Sequence, residues 1–161
     1  MGERITVTGR VRDRRGRSVR RQLVELWQAN AAGRYAHRRD RHPAPLDPHF
    51  TGVGRCLTDD HGGYRFTTVR PGAYPWRNHE NAWRPAHLHF SFFARGLTHH
   101  LYTRAYLAPP PAGDPVAALP AELRATLLAR AGENRTYRFD VHLQGERETV
   151  FLDIRPLPGP R

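Results

Sequence analysis

The run Ala86-His87-Leu88-His89-Phe90-Ser91-Phe92 alternates without a break. A strand is the regular structure that sends every second side chain to one face, so Ala86, Leu88, Phe90 and Phe92 face a core and the histidines face away from it. Ile5–Val11 repeats the pattern, with Ile5 and Val7 opposed by Thr6 and Thr8. Shorter strand patterns follow at Leu23–Trp27, Cys56–Thr58, Tyr64–Val69, Leu101–Leu107, Tyr137–Leu143 and Thr149–Ile154. Asp13-Arg14-Arg15-Gly16 and Asp59-Asp60-His61-Gly62-Gly63 read as turns between them. Helical spacing occurs over Pro120–Ala131, where Leu123, Leu127 and Leu128 recur and Pro120 suits a first helical position. The pattern predicts an all-β fold: an antiparallel β-sandwich with long functional loops at one end and one short helix in the C-terminal half.

At 161 residues the chain has room for one domain, expected over residues 1–154. The Pro-rich tail 155–161 is expected to be disordered. With 39% hydrophobic residues, a core can form without covalent staples. The single cysteine, Cys56, excludes a disulfide scaffold and suits a reducing compartment. Met1-Gly2-Glu3-Arg4 leads directly into the first strand with no apolar signal segment, and no apolar run approaches the ~20 residues of a membrane helix. A cytoplasmic location and no membrane partner are expected.

The net charge is +11, and every one of the 26 basic residues is Arg. Seven of these lie between Arg10 and Arg21. No aromatics are interleaved with that run and no nucleic-acid motif accompanies it, so it reads as a solvated hairpin and no nucleic-acid partner is expected.

Chemistry concentrates in two long loops and one strand. Residues 29–54 and Arg70–Pro85 carry no sustained period and are rich in Pro and Gly. Loops this long are usually functional. His87 and His89 sit about 6.6–7 Å apart at Cα by strand rise, a spacing at which two imidazoles can share a metal ion. A thiolate zinc site lacks its cysteines, and no carboxylate follows on the strand to complete a facial iron triad. Tyr35 and Tyr74 stand in the two loops, and a phenolate is a hard oxygen donor suited to Fe(III). On these residues alone, such histidines are more often two half-exposed strand residues, and each tyrosine more often a packed aromatic.

Longer stretches carry a resemblance. Leu26-Trp27-Gln28-Ala29-Asn30-Ala31-Ala32-Gly33-Arg34-Tyr35, Phe50–Asp60, Arg70-Pro71-Gly72-Ala73-Tyr74-Pro75-Trp76-Arg77-Asn78 and Asn81–Phe90 resemble the intradiol ring-cleaving dioxygenases, in particular their iron-bearing beta-type chains. The resemblance implies a β-sandwich holding one non-heme Fe(III) through Tyr35, Tyr74, His87 and His89. It implies cleavage of a catechol, protocatechuate, by O2 to 3-carboxy-cis,cis-muconate. Tyr74 would yield its place to the substrate and take up a substrate proton. Arg84 would stabilise negative charge developing on the ring, and Trp76 would form a pocket wall.

After His89 the likeness shifts to the iron-free alpha-type chains, through Phe92-Phe93-Ala94-Arg95-Gly96-Leu97, His100–Tyr106, Tyr137–Val141 and Gln144–Phe151. In those chains an arginine matching Arg95 reaches across to the substrate carboxylate of a neighbouring site. The chain is therefore expected to form a homo-oligomer or to pair with a related subunit. Arg104 stands where iron-bearing chains carry a neutral amide, is expected at the substrate, and its replacement by Gln is expected to raise turnover. The chain also begins close to the first strand, where relatives carry tens of residues more. The alternative reading is an impaired subunit or remnant of the same fold that requires a partner chain. His37, His42, His49 and His61 are expected to be solvated, Cys56 a small buried hydrophobe, and Trp27 and Trp83 core residues.

Overall fold

The structure, a computed structural model, describes residues 2–75, 83–93 and 100–152. Two sheets form the sandwich. The first is built on β1 (Arg4–Arg12), which pairs antiparallel with β4 (Gly63–Val69) over seven residues. The second has the order β3 (Val53–Leu57), β2 (Leu23–Trp27), β7 (His87–Phe93), β8 (Leu101–Tyr106), antiparallel throughout. A third, two-stranded piece pairs β5 (Tyr74–Pro75) with β6 (Trp83–Arg84).

The alternation read from the sequence sets the core. Ile5, Val7 and Val11 of β1 and Tyr64 and Phe66 of β4 meet Val24, Leu26, Leu88, Phe90, Phe92 and Ala105 of the second sheet. Full burial of each such side chain contributes about 1.5–3 kcal/mol. Gly9 interrupts the apolar face of β1 because the chain at Phe139 lies against it; a Cβ there would sit 1.8 Å from the Phe139 carbonyl oxygen.

The chain's second half departs from expectation in three places. The strand expected over Tyr137–Leu143 is split into β10 (Thr136–Arg138) and β11 (Val141–His142), both parallel to β1, so the first sheet is mixed. The split falls where Asp140 turns its carboxylate to the Arg10 amide and the Arg138 guanidinium. The expected helix shortens to α1 (Ala121–Ala125), with Pro120 as its cap and a 3-10 turn, Pro115–Ala118, before it. Helical periodicity is overridden beyond Thr126, because the Leu127 carbonyl accepts the Tyr106 amide and Leu127 packs fully buried against Tyr106 and Val116. Arg130–Ala131 then forms β9 against β10. Over the described part of Thr149–Ile154 there is no strand; Leu152 N donates to Tyr102 O, and the Val150 carbonyl accepts the Thr103 hydroxyl. The expected tail lies outside the described residues.

The arginine-rich hairpin is held by Asp13, which accepts the Arg15 and Arg17 amides and the Arg17 guanidinium. Among the described residues no helix is long and apolar enough to cross a membrane.

Candidate metal centre and active site

Register across the second sheet assembles the site on its outer face. His89 lies between Trp27 of β2 and Arg104 of β8, and His87 lies opposite Tyr106. Leu88, Phe90 and Phe92 point the other way into the core. Both histidines are nonetheless buried, at 3% and 7% exposure, because the long loops fold over them.

The first loop reaches the histidines through one asparagine. The Asn30 side chain accepts the Ala32 and Arg34 amides and donates to the Pro45 carbonyl. Gly33 closes this turn at φ +80°, the left-handed region that favours glycine. The Asn30 carbonyl accepts both the Gly33 and the Gly72 amides, at 3.0 and 2.9 Å, and so ties the Tyr35 loop to the Tyr74 loop. The Tyr35 amide donates to Asp40. Its ring packs between Trp27, 4.5 Å away between centroids, and Tyr74, 5.0 Å away.

Three donor atoms therefore converge. Tyr35 Oη lies 2.7 Å from His89 Nε2 and 3.4 Å from His87 Nε2, and the two Nε2 atoms are 3.1 Å apart. From behind, His87 Nδ1–H donates to the Pro85 carbonyl at 2.8 Å, which leaves Nε2 as a lone pair. His89 Nδ1 is bonded to the Tyr102 hydroxyl. Burial, and then the backbone and charged neighbours, set the ionisation: burial lowers the His87 pKa to about 4, and burial together with His87 and Arg104 holds His89 well below its ordinary value. Both imidazoles are thus neutral donors at pH 7. Burial raises the Tyr35 phenol, against the pull of Arg104 and Arg84. With His89 Nδ1–H donating to Tyr102 Oη, His89 Nε2 is a lone pair as well, and one tyrosine proton cannot satisfy both. A cation at this point would satisfy all three atoms, so the donor set fits a metal ion. Among the described residues no three His, Cys, Asp or Glu side chains group in a way that could hold a metal, and phenol oxygens supply what acids do not.

Tyr74 sits half-buried on β5, with Arg84 directly opposite it on β6. Arg84 and Arg104 are close enough for Arg104 to lower the Arg84 pKa, after the effect of burial. Trp76 and Arg95 lie outside the described residues. Trp27 and Trp83 are not core residues: they are 36% and 54% exposed. They flank the site instead, Trp27 against His89 at 5.2 Å and Trp83 against His42 at 5.7 Å. His42, expected in solvent, is half-buried and also lies 6.3 Å from Tyr74. His37, His49 and His61 are exposed. Cys56 is half-buried against the core, and burial raises its thiol pKa. Tyr102, Tyr106 and Asp114 escaped the sequence reading. The signal for the first two was present, since Tyr102, Arg104 and Tyr106 alternate along one strand face.

On the outer face of a β-sandwich, two histidines and a tyrosine thus turn onto one point. A Dioxygenase family profile matches residues 1–145, and the chain belongs to the intradiol dioxygenases. It is 51% identical over 159 residues to the protocatechuate 3,4-dioxygenase beta chain of Burkholderia cepacia, covering 92% of this chain and 68% of that one. It is 38% identical over 162 residues to the alpha chain of the Pseudomonas putida enzyme, covering 95% and 77%. Among solved structures, the dioxygenase domain of a dioxygenase carbohydrate-binding protein fusion from Streptomyces sp. SirexAA-E aligns at a TM-score of 0.63 and 26% identity, over 90% of this chain and 82% of that one.

Proposed function

We propose that the chain is a ferric intradiol dioxygenase that cleaves protocatechuate with O2 to 3-carboxy-cis,cis-muconate, both oxygen atoms entering the product. The convergence of Tyr35 Oη, His87 Nε2 and His89 Nε2 within 3.4 Å carries this reading, with both histidines held at their far nitrogens. Tyr74, half-buried on the adjoining loop, is the fourth ligand. A ferric ion held by Tyr35, Tyr74, His87 and His89 would supply a Lewis-acidic centre for a bound catecholate. The chain's own residues do the rest. Tyr74 accepts a substrate proton as the ligand arrives. Arg84, facing it across β5 and β6, offsets negative charge on the ring in a site sheltered from water.

The test is a visible spectrum with iron content, on protein purified in air, before and after protocatechuate is added without oxygen. A coloured protein whose band shifts with protocatechuate and which then consumes oxygen is expected. Protein that stays iron-free and colourless after reconstitution overturns the reading.

A partner chain has its own support. The outer face of the second sheet exposes Trp27 and Val53 beside the site, and Leu57 and Phe93 at the other end of the same strands. One sequence is similar to both the beta and the alpha chain of a two-chain enzyme. The occupant of this face is a second copy of the chain. Light scattering on the purified chain should give a mass above the 18.5 kDa protomer.

A further inference from the structure

Arg104 is a second guanidinium beside Arg84. It lies opposite His89 on β8, with its face shared by Tyr102 and Tyr106. Its guanidinium bonds both of those phenol oxygens. Its Nε is buried and has no hydrogen-bond partner among the described residues, and the chain offers it no ion pair there. Among the described residues, Asp114 is linked to it through Tyr106, whose hydroxyl donates to Asp114 Oδ1 at 3.4 Å. That same oxygen caps the 3-10 turn by accepting the Val116 amide. The Tyr106–Asp114 pair therefore fixes Arg104 from the rear without neutralising it.

Two guanidiniums, Arg84 and Arg104, thus stand beside two neutral histidines, and they repel one another. An arginine held half-buried by its neighbours, with a donor left bare, is arranged for an anion that arrives later. Asp114 acts on Arg84. Arg104 has no ion pair among the described residues, and a ring carboxylate is a group that would balance it. A guanidinium fork binds a carboxylate through two parallel hydrogen bonds, which a neutral amide cannot reproduce.

We propose that Arg104 is a carboxylate anchor that this chain supplies to its own site, so that selection of a carboxylated catechol over a bare one does not depend on a neighbouring chain. The inference rests on the function proposed above and names the residue that sets its substrate class.

The experiment is an anaerobic titration of the iron-loaded full chain with 3,4-dihydroxybenzoate and with catechol, following the visible band, for wild type, Arg104→Gln and Arg104→Lys. Arg104→Gln should lose about tenfold or more in affinity for 3,4-dihydroxybenzoate and less than about threefold for catechol, the scale of one lost charge-assisted contact. Arg104→Lys should fall between, keeping the charge and losing the fork. Equal losses for both ligands, or no loss for either, overturn the proposal while leaving the dioxygenase reading intact. Wild-type protein that loads iron and binds neither ligand overturns the dioxygenase reading, and this inference with it. Should Arg104→Gln fail to fold, Arg104→Lys decides: an unchanged preference for the carboxylated ligand overturns the proposal.

Discussion

His87 Nε2 and His89 Nε2 lie 3.1 Å apart, much closer than the spacing of their Cα atoms along a strand. The rings converge because each is held at its far nitrogen, His87 by the Pro85 carbonyl and His89 by the Tyr102 hydroxyl. Partners behind a ligand fix its tautomer and direction, and their loss typically costs about 10–100-fold in metal affinity. Tyr102→Phe should therefore weaken iron binding by about that factor while the fold survives. Competition against a chelator measures the affinity, and a thermal melt reports the fold.

The two tyrosines differ in how the structure holds them. Tyr35 is buried and packed against Trp27, Tyr74 and His89, whereas Tyr74 is half-buried on a two-residue strand. Tyr74→Phe should keep iron and a tyrosinate band from Tyr35, and lose turnover by about 10²-fold or more as its proton acceptor goes. Tyr35→Phe should lose most of the iron. Iron content and the visible spectrum of the two variants, side by side, check the asymmetry. Equal iron loss in both would remove it.

Gly33 joins the loops that carry those tyrosines. A Cβ at this position would sit 2.0 Å from the Ala73 carbonyl oxygen, in a backbone conformation that strains any L side chain. Gly33→Ala should cost about 1–3 kcal/mol of stability through that strain. It should also separate Tyr35 from Tyr74, so iron content falls far more than the melting temperature does. A variant that melts lower yet loads iron fully would place the coupling elsewhere.

What could be read in the chain, and what could not, follows from the range of each interaction. The alternation at Ile5–Val11 and Ala86–Phe93 is local, and it set both the sandwich and the face on which the histidines stand. Trp27 was misplaced because its alternation says which face it is on, not that loops crowd this outer face and make it a site wall. Leu127 and Leu128 kept helical spacing, yet a backbone bond from Tyr106 drew them out of the helix. The Tyr102 and Tyr106 contacts depend on register between β7 and β8, which no local pattern encodes.

The exposed outer face makes its own prediction. Leu57 is 63% and Val53 48% exposed on the edge strand β3, in line with Leu23 and Trp27 of β2. The Arg55–Glu25 ion pair lies between them on the same face, and exposed apolar groups around a charged pair suit an interface. A Val53→Asp, Leu57→Asp double variant should shift the assembled mass toward the protomer without lowering the melting temperature of the protomer itself. Light scattering reads the first and calorimetry at low concentration the second.

His89 and Phe90 are neighbours in sequence on opposite faces of one strand, and their removal should fail in opposite ways. Phe90 is fully buried among Tyr64, Phe66, Phe92 and Phe139. Phe90→Ala leaves a cavity that costs about 3–5 kcal/mol, a large share of the roughly 5–15 kcal/mol that holds a domain of this kind together. Its melting temperature should fall steeply, and iron should still protect whatever fraction stays folded. His89→Ala removes a donor from a point where neutral lone pairs crowd one another, so the iron-free protein should melt within a few degrees of wild type. Adding iron should then raise the melting temperature of wild type and of Phe90→Ala, because a ligand that binds the folded state stabilises it by mass action. The same addition should leave His89→Ala where it was. An iron-dependent rise in His89→Ala would mean that the ion is held without this histidine.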